Sequence, residues 1–214
     1  MKRYYSHIMG ISSRLMHPFR SYYHKNKAKR FNGEVPSIIC NNCLGGVMLH
    51  DLGLPFNTPT INLFFRTHEE FIYFVQNIEE MQTITMHEID SSEFNVPVGE
   101  IEHKGHSIRI VFQHYKDFQS GYDKWKQRMK RMDLSKIVVL LESPDVSPET
   151  IEAFSQIKYK KAIISRPIQN TPLFYVPLDI YNNWHSGKVL EYKSLFSIKR
   201  WVDDWDYISF LNKK

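Results

Sequence analysis

The sequence predicts a single α/β domain: a largely parallel or mixed sheet with helices on both faces, Rossmann-like in general architecture. Three observations carry this expectation. Ile137-Val138-Val139-Leu140-Leu141 is an unbroken apolar run, which suits a strand covered on both faces better than an exposed antiparallel one. Ser147-Pro148-Glu149 then starts a helix by cap and first-turn proline logic, and Lys161-Ala162-Ile163-Ile164-Ser165 supplies the next strand. Strand, helix and strand at this spacing form a βαβ unit with a right-handed crossover. Finally, Val35 to Ile39 reads as a buried strand running into the polar, glycine-containing turn Asn41-Asn42-Cys43-Leu44-Gly45-Gly46. Such junctions are where open α/β folds place ligand chemistry.

With 214 residues and 42% hydrophobic content, the chain is long enough for one substantial core and short for two. The net charge of +5 is unevenly spread. Residues 1–30 hold eight Lys/Arg and no Asp or Glu, whereas the remainder has 20 basic and 23 acidic residues. The expected organisation is therefore a basic amphipathic N-terminal arm, residues 1–30, and an α/β domain, residues 31–214.

In the arm, Tyr4, Ile8, Ile11, Leu15, Phe19 and Tyr22 recur at helical spacing, which makes an apolar face flanked by positive charge. One reading is a helix packed on the domain with its cations solvated; the other is peripheral contact with an anionic membrane surface. Nucleic acid is the less favoured partner, because the rest of the chain is mildly acidic and carries no recognition motif. The arm lacks the continuous apolar run of a signal peptide or a membrane span. Cys40 and Cys43, the two cysteines, are too close together for a disulfide framework and have no second pair to complete a thiolate zinc site. A reducing, cytoplasmic location follows, at most peripheral at the inner face of the cell membrane.

Between these landmarks the elements are read in order. Thr60 to Phe65 is a second strand, and Thr67-His68-Glu69-Glu70 opens a helix with a capping box whose inner face is Phe71, Phe74, Val75 and Ile78. Thr83 to Ile89 is a short strand. Val98 to Glu102 and His106 to Phe112 form a hairpin across Lys104-Gly105. Asp117 to Asp133 is an amphipathic helix with the stripe Phe118, Tyr122, Trp125, Met129 and Met132 and a cationic remainder. Pro172 to Pro177 is an edge strand by its prolines, Tyr181 to Gly187 a surface loop, and Lys199 to Leu211 a closing helix whose Asp203, Asp204 and Asp206 are solvated.

Two stretches carry chemistry. In the first, Gly45 and Gly46 permit positive φ or close approach of backbone N–H groups to an anion, and a helix starting there adds its orphan donors. Cys43 in that field is either an activated thiol or a small buried hydrophobe, and Asn41 and Asn42 are either carbonyl donors or turn residues. His50 or Asp51 orients a reacting group. In the second, His114 and Tyr115 end a strand just before the cationic helix, where Arg128 and Arg131 offer forked donors to phosphate. His114 is the base whose ordinary pKa suits work near neutrality. No His-Glu-x-x-His helix, Walker loop or dinucleotide fingerprint is present in the sequence, so no metal or cofactor is named.

Ile39-Cys40-Asn41-Asn42-Cys43-Leu44-Gly45-Gly46, Leu52-Gly53 with Thr58-Pro59-Thr60, Phe112-Gln113-His114-Tyr115, Trp125 to Arg131 and Phe210-Leu211-Asn212 together resemble the bacterial family called domain of unknown function 1919. Cys40 and Leu44 stand where that family commonly has serine and tryptophan; Asn42, Cys43, Gly45, Gly46, His114, Tyr115, Trp125, Arg128 and Arg131 follow its pattern. The resemblance implies a role in exopolysaccharide or capsule biosynthesis. Joined to the two stretches, it leads to the expectation of a transferase moving a glycosyl or phosphoglycosyl group onto a carbohydrate or lipid-linked glycan intermediate. The co-substrate would be an activated sugar or acyl donor. In that expectation Asn41, Asn42, Gly45, Gly46, Tyr115, Trp125, Arg128 and Arg131 bind substrate and His114, Cys43, His50 and Asp51 take part in chemistry. An acyl transfer with Cys43 as nucleophile and a non-catalytic polysaccharide-binding or assembly role are the alternatives.

Overall fold

The computed structural model describes residues 2–168, 172–180 and 184–213, with side chains from Arg14 onward. The Tyr181-Asn182-Asn183 part of the expected surface loop, and the side chains of Tyr4, Ile8 and Ile11, lie outside the described residues. In chain order the first half comprises α1 (Lys2–Ala28), β1 (Ser37–Cys40), α2 (Leu44–Asp51), β2 (Phe64–Phe65), α3 (His68–Gln76), α4 (Ile78–Met81) and β3 (His87–Ile89). The second half comprises β4 (Val98–His103), β5 (His106–Val111), α5 (Phe118–Met129), β6 (Ile137–Glu142), α6 (Pro148–Ser155), β7 (Lys160–Ser165), β8 (Tyr175–Pro177) and α7 (Tyr207–Asn212).

This is an α/β domain with two four-stranded sheets, a parallel one in the order β1-β6-β7-β8 and an antiparallel one in the order β2-β5-β4-β3. The parallel sheet is buried on both faces, and the alternation of its side chains shows how. Ile39, Val139, Leu141 and Ile163 join a core with residues of α3, α5, α6 and the antiparallel sheet. Ile38, Cys40, Val138, Leu140, Ala162 and Ile164 face a second core with α2 and α7. The unbroken apolar run of β6 is thus required by the layers on either side. The β4–β5 hairpin turns at Lys104 and Gly105, both at positive φ (50° and 80°), the left-handed pair that matches strand twist.

Several elements differ from expectation for local reasons. The second strand shrinks to Phe64–Phe65, because Asn62 takes a left-handed backbone conformation (φ 63°) that interrupts an extended chain. Thr67 caps α3 by accepting from the Glu70 N–H. Glu70 does not reach back, since both its carboxylate oxygens are taken by Arg109. The closing helix is split: a 3₁₀ turn over Trp201–Asp204 precedes α7, and Asp206 caps α7 by accepting from Ser209. The three aspartates there are paired, Asp203 with Lys27, Asp204 with Lys193 and Asp206 with Arg30.

Candidate functional site

The turn after β1 is built from side chains that stand in for backbone. Asn41 donates through Nδ2 to the Glu142 carbonyl (2.9 Å) and accepts the Glu142 N–H through Oδ1 (2.8 Å), continuing the β1–β6 ladder past the end of the strand. Its own carbonyl accepts the Phe65 N–H at 2.9 Å, which couples β1 to the antiparallel sheet. Asn42 accepts the Leu44 N–H at 3.0 Å, satisfying one orphan donor at the start of α2. Both asparagines are buried, so they are accounted for by protein partners.

The glycines have a packing role. A Cβ on Gly45 would lie 2.9 Å from Ile38 Cγ2 and 3.3 Å from the Ile38 carbonyl, and one on Gly46 would lie 3.1 Å from Ile61 Cδ1. Neither has positive φ. They let α2 sit close against β1 and the Ile61 loop, the helix–strand approach that glycine serves in other α/β turns.

The charge that this turn faces is internal. Glu142, at the carboxyl end of β6, is fully buried and accepts from Asn42 Nδ2, Trp184 Nε1 (2.8 Å), the Gly187 N–H (2.7 Å) and Ser186 Oγ (3.5 Å). Burial pushes its pKa up, opposed by these donors. Sequence reasoning missed Glu142, although a lone carboxylate ending an apolar parallel strand was a readable signal.

The other predicted residues divide between two places. Cys43, His114, Tyr115 and Arg128 converge on the loop Ile61-Asn62-Leu63. The Cys43 thiol donates to the Leu63 carbonyl at 3.8 Å, and the His114 N–H donates to the Asn62 carbonyl at 3.4 Å. Tyr115 donates its phenol proton to the Ile61 carbonyl at 3.2 Å. Arg128 Nη1 donates to the Tyr115 oxygen at 2.6 Å and approaches the same Ile61 carbonyl at 3.4 Å. Asn62, at the centre, carries the strained backbone. Such outliers persist where the surroundings hold them and cluster at ligand sites.

Arg128 is the unusual member. Only 8% of it is exposed, its Nε has no hydrogen-bond partner among the described residues, and its contacts there are with the neutral Tyr115 phenol and Ile61 carbonyl. Phe56 lies 6.0 Å from its guanidinium carbon; the neighbouring Asn57 has a buried, unpartnered Oδ1. Buried charges are normally paired, so this cluster has a cation to spare.

The remaining residues lie apart. His50 and Asp51 are at the opposite end of α2, where Asp51 accepts from Arg200 Nε (2.9 Å) and contacts His50 (3.2 Å) and His24 (3.5 Å). Arg131 is exposed beyond α5. Trp125, only 3% exposed, tilts against Phe74 in the core (5.5 Å), which explains its presence without a ring-stacking role. Burial raises the Cys43 pKa, holding the thiol protonated at neutral pH.

Fold and site together define an α/β protein whose polar groups gather past the carboxyl edge of a parallel sheet, around a buried guanidinium with no ion-pair partner among the described residues. Residues 15–212 match the family described as Domain of unknown function (DUF1919). The chain belongs to that family. It is also similar to an uncharacterized protein of Haemophilus influenzae, with 26% identity over 196 residues, covering 90% of this chain and 92% of the relative.

Proposed function

We propose that the protein is a transferase of surface-polysaccharide biosynthesis that moves a glycosyl or phosphoglycosyl group onto a carbohydrate intermediate, holding the donor's phosphate at Arg128. The observation that carries this reading is the enclosed guanidinium with no carboxylate partner among the described residues: a phosphate oxygen would supply the missing charge and an acceptor for Nε. A Rossmann-like reading of the parallel sheet favours the same place, since Cys43 lies just past the carboxyl end of β1.

In glycosyl transfer the acceptor hydroxyl attacks the anomeric carbon, the bond to the donor phosphate breaks, and the released phosphate oxygen stays on Arg128. The acceptor's proton passes to the exposed His114 imidazole. The acyl alternative is weakened by the state of Cys43, whose thiol is protonated and engaged with Leu63. Titration with a panel of nucleotide sugars, followed by turnover with an acceptor extract, tests the reading. Binding lost in Arg128→Met, and turnover lost in His114→Gln but retained in Cys43→Ser, is the expected result. Saturable binding without turnover points instead to a polysaccharide-binding or assembly role. Loss of turnover in Cys43→Ser restores the acyl mechanism.

The same reading places the protein peripherally on an anionic bilayer. Leu15, Phe19 and Tyr22 on α1, with Phe196 nearby in sequence to the α1-bonded Leu195 and Ser197 carbonyls, are exposed, in an arm whose Arg14, Lys25 and Lys29 are also exposed. No helix among the described residues is long and apolar enough to cross a membrane. Failure of the unaltered protein to co-sediment with phosphatidylglycerol vesicles would overturn this placement, and binding that persists in the double variant Phe19→Ser/Phe196→Ser would overturn the assignment of this face to the bilayer.

A further inference from the structure

A cavity of about 550 Å³ lies between α1, the carboxyl end of α2 and the loop carrying Tyr192 and Arg200. Its polar lining is built, not incidental. Two guanidinium groups lie over the Tyr192 ring, Arg20 at 3.6 Å and Arg200 at 4.4 Å from the ring centre. Arg20 is locked by donating to the Ser197 and Leu195 carbonyls (3.0 and 2.9 Å). Arg200 is held by Asp51 and by the Leu190 carbonyl. Asp51 is thereby the counter-ion of Arg200, which leaves Arg20 and Lys25 as lining cations with no carboxylate partner among the described residues.

His17, His24 and His50 complete the wall. His24 is buried, with Nε2 at 3.3 Å from the Tyr192 hydroxyl and Nδ1 at 3.5 Å from the Asp51 carboxylate. Among the described residues, no group of three or more His, Cys, Asp or Glu is placed to hold a metal ion. The fixed charge of the cavity has the sign that attracts anions.

We propose that this cavity is a second anion site, distinct from Arg128, which takes a phosphate or diphosphate group between Arg20, Arg200 and Lys25. Rigid, already oriented guanidinium groups lose little freedom on binding such a group. The apolar groove of Pro18, Phe19, Tyr22 and Ile198 lies along the same helix, so the phosphate could belong to a soluble molecule or to a lipid headgroup.

The test uses the full chain carrying Arg128→Met, so that the first site does not report. Pyrophosphate titration by calorimetry is compared with co-sedimentation on vesicles of phosphatidylglycerol in phosphatidylcholine. Lys25→Glu changes an exposed lining residue, and Lys29→Glu changes an exposed residue of the same helix region outside the cavity. The expected result is saturable pyrophosphate binding weakened at least about fivefold by Lys25→Glu and little by Lys29→Glu. If only vesicle binding shows that difference, the site takes a headgroup. No binding in either arm, or equal effects of the two substitutions, overturns the proposal. Donor binding at Arg128 is measured separately in Lys25→Glu alone, so failure of one site does not count against the other.

Discussion

The Arg128 guanidinium donates to the Tyr115 phenol oxygen at 2.6 Å, and the same phenol donates onward to the Ile61 carbonyl at 3.2 Å. The relay polarises the phenol and holds the cation in place, yet it supplies no negative charge. A buried arginine satisfied only by neutral groups is costly for the empty protein and valuable to a protein that receives an anion.

That relationship separates stability from function. Replacing Arg128 by methionine removes a desolvated, unpaired charge and keeps most of the stem's volume, so stability should change by no more than about 1 kcal/mol in either direction. Denaturant unfolding checks this, alongside nucleotide-sugar binding, which should disappear. A loss of several kcal/mol would mean that the arginine is a structural group.

Glu142 makes the opposite prediction. Glutamine in its place puts an amide donor among the donors from Asn42, Trp184, Ser186 and Gly187. Although a buried charge is removed, Glu142→Gln should destabilise by about 1–3 kcal/mol. The shift in urea midpoint at neutral pH measures it.

Lys27 and Asp203 form an enclosed ion pair, their side chains 6% and 0% exposed, with the Lys27 ammonium also 3.8 Å from the centre of the Tyr207 ring. Lys27→Met strands the Asp203 carboxylate and should cost about 3–5 kcal/mol. Adding Asp203→Asn should recover a large part of that loss. An additive double-mutant cycle would show that the two groups are not coupled.

Burial lowers the pKa of His24 below 6.5, against the pull of Asp51 and Asp203 and with the help of Arg200 and Lys27. The unfolded chain takes up a proton near 6.5, before the folded state does. The stability associated with neutral His24 is therefore complete above that pH and declines as the pH falls from 6.5 to the folded value. Melting temperature measured against pH should show this decline, and His24→Gln should flatten it.

Much of the architecture was readable because it rests on local rules. The apolar run at β6, the caps at Thr67 and Ser147, and the Lys104-Gly105 turn each act through neighbours within a few residues, and the structure has them all. Half of the site was readable in the same way: His114, Tyr115 and Arg128 are close in sequence and share a strand end and the helix that follows.

What the sequence by itself determined was most of the helix and strand segments, which of their faces are apolar, and that the first 30 residues are basic, since these follow from composition and periodicity. Only the tertiary structure decided that Asn42 serves Glu142, that the α2 glycines exist for close packing, and that His50 and Asp51 belong with Arg20, Tyr192 and Arg200 instead of Cys43. The Asn42–Glu142, Asp51–Arg200 and Arg20–Tyr192 pairings each span one hundred residues or more along the chain. They are set by which helix ends the sheet brings together, and no short-range pattern encodes that.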